Sequence, residues 1–175
     1  MQTPHETAKK MATVLRDKYG LTRERVNLIS LGRFDAHILN QEHRAYFFDT
    51  DLKEHYRLIA LLSCLFDNGT IFDVGTNKGY SAVALAYNPY NQVISYDIVD
   101  CRELGAPDQL TNVEFHSGDV CQDERLADAQ LVMLDTNHDG GFERTFYHHL
   151  QQIGFRGLLF LDDIHLNEAM QAFWG

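Results

Sequence analysis

Five short apolar runs, each stopping at or beside an aspartate, constrain this chain more than any other feature. They are Thr70-Ile71-Phe72-Asp73-Val74, Val93 to Tyr96 before Asp97, Val113 to His116 before Gly118-Asp119, Leu131 to Leu134 before Asp135, and Gly157 to Leu161 before Asp162-Asp163. Between them the apolar spacing becomes helical, as in Tyr80, Val83, Ala84 and Tyr87, and again in Phe142, Phe146, Leu150 and Ile153. Short apolar runs alternating with helical segments imply a parallel sheet built from right-handed crossovers. All carboxyl ends of such a sheet lie along one rim, so the aspartates should gather there. Scattered acids would not adopt that register five times.

The first run leads into the turn Gly75-Thr76-Asn77-Lys78-Gly79. A strand, a glycine turn and a helix open a βαβ unit, and open α/β sheets bind ligands beyond the carboxyl ends of their strands. The spacing is neither the dinucleotide G-x-G-x-x-G nor the phosphate loop G-x-x-x-x-G-K-[ST]. Asp73 beside the turn would repel a pyrophosphate and favour a cation or a hydroxyl. The ligand implied carries positive charge and no phosphate.

Asp73-x-Gly75-x-x-x-Gly79-Tyr80-Ser81 resembles the first motif of the class I S-adenosylmethionine-dependent methyltransferases. The run Gly79 to Val83 is most similar to the branch holding catechol O-methyltransferase and the macrocin-type sugar O-methyltransferases. The resemblance spans roughly residues 51 to 175. It implies a Rossmann-like, doubly wound α/β fold with a mostly parallel sheet and N-terminal helices. Residues 1–50 would form a helical or irregular cap, and 51–175 the cofactor-binding domain. S-adenosylmethionine would lie against Asp73, Gly75, Asn77, Gly79 and Ser81 with its methionyl part. Asp97, about 20 residues past the turn, would take the ribose. Asp119 would hold the adenine amino group, with Gly118 leaving room for the ring.

Asp135, Asp162 and Asp163 form a second constellation, closing two strands that a single crossover helix joins. Neighbouring strands lie about 4.8 Å apart, which brings these acids within reach of one ion. Crowded carboxylates repel one another, and a hard divalent cation with oxygen ligands, Mg²⁺ first, relieves this. The resemblance implies the same three positions as metal ligands, although Asp163 could instead cap the helix beginning near Leu166. Asp135 thus counts as catalytic as well as metal-binding. His138, three residues on, stands where the catechol enzymes carry a lysine base, and a histidine suits a metal-acidified hydroxyl. His165 is its rival for that role. The expected reaction is methyl transfer to a hydroxyl of a small sugar, polyol or catechol-like acceptor.

Fifteen basic residues against 25 acidic ones, net −10, argue against a nucleic-acid partner. No apolar run is long enough for a membrane span and MQTPHETAKK is no signal peptide. Three dispersed cysteines, Cys64, Cys101 and Cys121, give neither a disulfide framework nor a zinc pattern, so a cytoplasmic protein is expected.

Upstream, Thr3-Pro4-His5-Glu6 reads as a capping box opening a helix with Ala8, Met11, Ala12, Leu15 and Tyr19 on one stripe and Gly20 as its stop. Val26 to Leu31 and Arg44 to Phe48 could be strands flanking a turn or short helix. A second helix should run from about Asp51 to Phe66. At the other end, the family's sheet continues into an antiparallel pair, whereas this chain ends at Phe173-Trp174-Gly175. Those strands are therefore expected to be absent, in a truncated or a minimal version, leaving an open edge where a homodimer could form. The usual Pro-Gly-Gly before the fifth strand is replaced by Ile153-Gly154-Phe155-Arg156-Gly157. A degenerate methyltransferase-fold binding module is one alternative. A nicotinamide oxidoreductase is another, disfavoured by the turn.

Overall fold

A computed structural model describes residues 4–48 and 54–175. Five parallel strands form one sheet: β1 (Thr70–Val74), β2 (Gln92–Asp97), β3 (Val113–Ser117), β4 (Leu131–Leu134) and β5 (Leu158–Leu161). Their order is β3-β2-β1-β4-β5. The chain winds outward from β1 through β2 to β3, then returns to β1's other side with β4. The order thus reverses between β1 and β4, and a crevice opens at the carboxyl ends of strands at such a point.

Alternation along each strand assigns side chains to two cores. Phe72, Val74, Ile94, Val132 and Leu134 pack with Phe146 and Leu150 on one face. Ile71, Val93, Leu131 and Met133 pack on the other face with the N-terminal layer. Seven helices surround the sheet: α1 (Pro4–Tyr19), α2 (Arg23–Asn27), α3 (Gln41–Phe48), α4 (His55–Ser63), α5 (Tyr80–Leu85), α6 (Gly141–Gln152) and α7 (Glu168–Trp174), among the described residues. Only α5 and α6 serve as helical crossovers. The β2–β3 link contains one 3₁₀ turn, Pro107–Gln109, and the β3–β4 link has two, Val120–Gln122 and Glu124–Asp128. Asp119 and Asp123 explain the latter pair. Each carboxylate takes the backbone N–H two residues on, a local bond that competes with a regular helix.

Neither upstream segment that could be a strand is one. Val26 and Asn27 end α2, which Thr22 caps, residues 28–31 follow as turn and loop, and residues 44–48 lie in α3. Asn40 decides the second case, because its side chain accepts the N–H groups of Glu42 and His43 and so starts a helix. Leu31, Phe34, Ile38 and Phe47 then pack against α4 and α5 in the shared core.

α1 ends at Gly20, which has φ +64°. Its stripe is not sealed: Met11 and Tyr19 stay about 40% exposed and flank a groove with Leu65, Phe66 and Leu158. Thr3 of the expected capping box and the expected start of the second helix at residues 51–53 lie outside the described residues. No helix among the described residues is long and apolar enough to cross a membrane.

Candidate functional site

Where β1 and β4 diverge, a cleft of about 730 Å³ opens at the carboxyl rim. Gly75, Asn77, Asp97, Gly118, Asp119, Asp135 and His138 all line it. Gly75 is obligatory for its shape. At φ +101°, an added Cβ would stand 1.7 Å from the Asp135 carbonyl oxygen, so no other residue lets β1 leave the sheet this close to β4.

The turn after β1 is tied to the end of β2. Gly75 and Thr76 donate their N–H groups to the Tyr96 carbonyl at 2.9 and 3.1 Å. Asn77 N–H donates to Asp97 Oδ2 at 2.8 Å, and Gly79 N–H to the Thr76 carbonyl at 2.7 Å. Four donors that would cradle a phosphate are thus already engaged. Asp97, half-buried at the end of β2, receives Val99 N–H on its other oxygen and keeps acceptor capacity toward the cleft. Asp119 is exposed, and the Cys121 N–H holds its carboxylate below the ordinary range. Beside it, Gly118 has φ +142° and open space where a side chain would stand.

Gly79, Asp162 and Asp163 do not line the cleft, and Asp73 and Ser81 are buried behind it. Asp73 is fully buried, because strand alternation turns it inward beneath α5. Its Oδ2 accepts the Ser95 hydroxyl at 2.6 Å, and Oδ1 has no partner. Burial pushes this carboxyl up to about 7, against the pull of the Ser95 and Ser81 hydroxyls. Ser81 is buried in α5 and faces Asp73.

On the β4 side, Asp135 is the junction of two groups. His138 Nε2 lies 3.3 Å from its Oδ1, and 3.9 Å from Asp163 Oδ2. Neither approach is a hydrogen bond, leaving this nitrogen buried and without a hydrogen-bond partner. The His138 backbone is held in the left-handed region, φ +55°, from two sides. Its N–H donates to Glu143 Oε1 at 3.0 Å, and its carbonyl accepts from Asn167 Nδ2 at 2.8 Å. Glu143, buried in the first turn of α6, also accepts the Thr136 hydroxyl at 2.8 Å. Asn167 caps α7 through Met170 N–H, so Asp163 does not serve the alternative role of cap.

The second group is His55, Asp135 and Asp162. All are half-buried, and one donor atom from each lies within 4.8 Å of the others. His55 Nδ1 stands 3.6 Å from Asp162 Oδ2. Burial, and then repulsion from Asp162, raises the Asp135 carboxyl to about 6. Asp163 is exposed and outside this trio, and His165 is likewise exposed. His55, Glu143 and Asn167 were invisible to sequence reasoning. The last two carried signals, an acid in a helix's first turn and an Asn before an apolar run, but those read equally as capping. His55 carried none.

The fold is the Rossmann-like one of the class I S-adenosylmethionine-dependent methyltransferases. Two solved structures support this at TM-score 0.50. One is an O-methyltransferase from Bacillus cereus in complex with S-adenosylhomocysteine, 13% identical, matched over 97% of this chain and 84% of that one. The other is a Klebsiella pneumoniae protein provisionally assigned as an O-methyltransferase, 17% identical over 82% of this chain and 74% of that one. The O-methyltransferase TomG from Streptomyces achromogenes, in complex with S-adenosylmethionine, is 19% identical over the same shares, with a TM-score of 0.49. No protein-family model matches the chain, and no curated protein does either.

Proposed function

We propose that the protein is an S-adenosylmethionine-dependent methyltransferase acting on a hydroxyl of a small molecule, with a divalent cation at the Asp135–Asp162 end of the cleft. The observation that carries this reading is the convergence on one cleft of acceptors suited to a nucleoside and of the neighbouring pair His138 and Asp135, the latter clustered with Asp162. The cleft is large enough for a cofactor of this size. Its rim is acidic, as suits a sulfonium, and the turn donors a pyrophosphate would need are engaged.

Asp97 has unused lone pairs for ribose hydroxyls, and Asp119 has one carboxylate oxygen beyond its Cys121 bond for an adenine amino group. The open side of Gly118 leaves the ring its place. Once bound, the cofactor supplies a methyl group already activated on sulfur. The cation, held by Asp135 and Asp162, would lower the acceptor hydroxyl's pKa. His138 Nε2, buried and without a hydrogen-bond partner, is the atom placed to take the hydroxyl proton, and Asp135 beside it stabilises the imidazolium formed. The chain's remaining task is alignment of the acceptor with the methyl, which removes the entropic cost of encounter.

Two alanine variants and two measurements test this. Asp97→Ala should weaken S-adenosylhomocysteine in calorimetry by about tenfold or more, the loss of charge-assisted bonds. His138→Ala should leave that binding within about twofold and cut turnover of hydroxyl acceptors by roughly 10²-fold or more. The opposite pattern would refute the assignment.

A further inference from the structure

His55 reaches the acidic end of the cleft from outside the sheet. It is the first residue of α4, whereas Asp135 and Asp162 directly follow the neighbouring strands β4 and β5. Asp162 N–H donates to the Leu134 carbonyl at 3.1 Å, which continues the ladder and fixes the two acids side by side. The imidazole is half-buried against them, with Nδ1 3.6 Å from Asp162 Oδ2. Its position is set by the core: Tyr56, the next residue, packs on Phe47 at 4.8 Å between centroids and edge-on to the His55 ring at 4.9 Å. We propose that His55 is a metal ligand, and that the site it forms with Asp135 and Asp162 selects a borderline transition-metal dication over Mg²⁺. The inference rests on the metal-assisted reading of the cleft and specifies its ion.

The spacing fits one ion. Donors adjacent to each other on a metal about 2.1 Å away lie about 3 Å apart, so a trio within 4.8 Å closes on an ion with small side-chain rotations. The donor set decides which ion. Mg²⁺ is held by oxygen and retains its waters, whereas imidazole suits the first-row transition metals. Two carboxylates and one imidazole match the ligand types of Mn²⁺, Fe²⁺, Co²⁺ or Zn²⁺ sites. Asp163, expected as the third ligand, is exposed and its carboxylate lies by His138 instead. Nitrogen thus takes the place of the third carboxylate.

Mn²⁺ is the probe, because its paramagnetism reports both binding and ligand identity. MnCl₂ is titrated onto the full chain by electron paramagnetic resonance, and the bound ion is examined by spin-echo modulation for directly coordinated ¹⁴N. Wild type should bind Mn²⁺ with ¹⁴N modulation, and Mg²⁺ should displace it only in about 100-fold excess or more. His55→Ala and the similarly sized His55→Gln should lose the modulation, and the Mn²⁺ affinity should fall by about tenfold or more. His138→Ala should keep both. Circular dichroism and S-adenosylhomocysteine binding check that each variant is folded. Bound Mn²⁺ that lacks ¹⁴N modulation and is lost in Asp135→Ala but not in His55→Ala overturns the role of His55 and leaves the metal-assisted reading standing. Modulation that vanishes only in His138→Ala also overturns it. Absence of Mn²⁺ and Mg²⁺ binding by wild type overturns both.

Discussion

A carboxyl with no solvent contact is comfortable only while it holds its proton, and Asp73 is such a group. Free in an unfolded chain it ionises near 3.8, while burial in the fold pushes it up to about 7. Between those two values the folded state binds the extra proton, so this residue makes stability fall as pH rises. Its contribution is whole below about pH 4 and gone above about pH 7. The gap of about three units corresponds to roughly 4 kcal/mol as a ceiling. Asp73→Asn keeps the shape and an acceptor for the Ser95 hydroxyl but cannot ionise. It should raise the urea midpoint at pH 8, by a margin below that ceiling, and change it little at pH 4. Equal effects at both pH values would mean that Asp73 is not buried as a neutral acid. At this scale the sequence was legible only in part. An acid at the strand's penultimate position pointed to the rim by its place in the run, yet a period of two turns Asp73 under α5 and leaves Asp97, the last residue of β2, and Asp135, just past β4, as residues that face the cleft.

Elements were legible where their periodicity was long or repeated. The five strands fall within a residue or two of the runs that announced them, because each is an apolar stretch bounded by turn residues. Residues 26–48 were not legible, since short apolar runs fit a strand or a helix equally until a cap such as Asn40 decides. His55 was illegible for a different reason. Its partners follow strands far along the chain, and only tertiary packing brings α4 to them. α7 carries the same lesson, because its cap does two jobs. Asn167 closes the helix through Met170 N–H and also holds the His138 carbonyl. Asn167→Ala should cost about 1–2 kcal/mol in urea unfolding, the usual loss for a cap. It should also lower turnover, with cofactor affinity unchanged, because the left-handed backbone at His138 loses one of its two restraints. Asn167→Asp restores the cap alone, so a variant that regains stability but not turnover would separate the two roles. Recovery of both would show that the second bond is incidental.

Over the whole molecule, charge and topology act on the same place. The chain carries a net −10, and aspartates from four strand ends crowd the carboxyl rim. Such a rim lowers the cost of bringing in a cation and raises that of a phosphate. A ligand that binds only the folded state stabilises it by RT ln(1 + [L]/Kd), about 2.7 kcal/mol at a hundredfold excess over Kd. For a domain of this size that is a shift of about 5–10 °C in Tm. S-adenosylmethionine at saturation should therefore raise Tm by this amount. NADH at the same concentration should not move it, because Gly75, Thr76, Asn77 and Gly79 have no N–H left to offer its pyrophosphate. The sulfonium form should shift Tm at least as far as S-adenosylhomocysteine, its neutral counterpart, and the difference should shrink with added salt as the rim's field is screened. A larger shift with NADH would return the fold to nucleotide redox chemistry. Equal shifts with the charged and neutral sulfur forms at low salt would show that the acidic rim does not recognise the sulfonium.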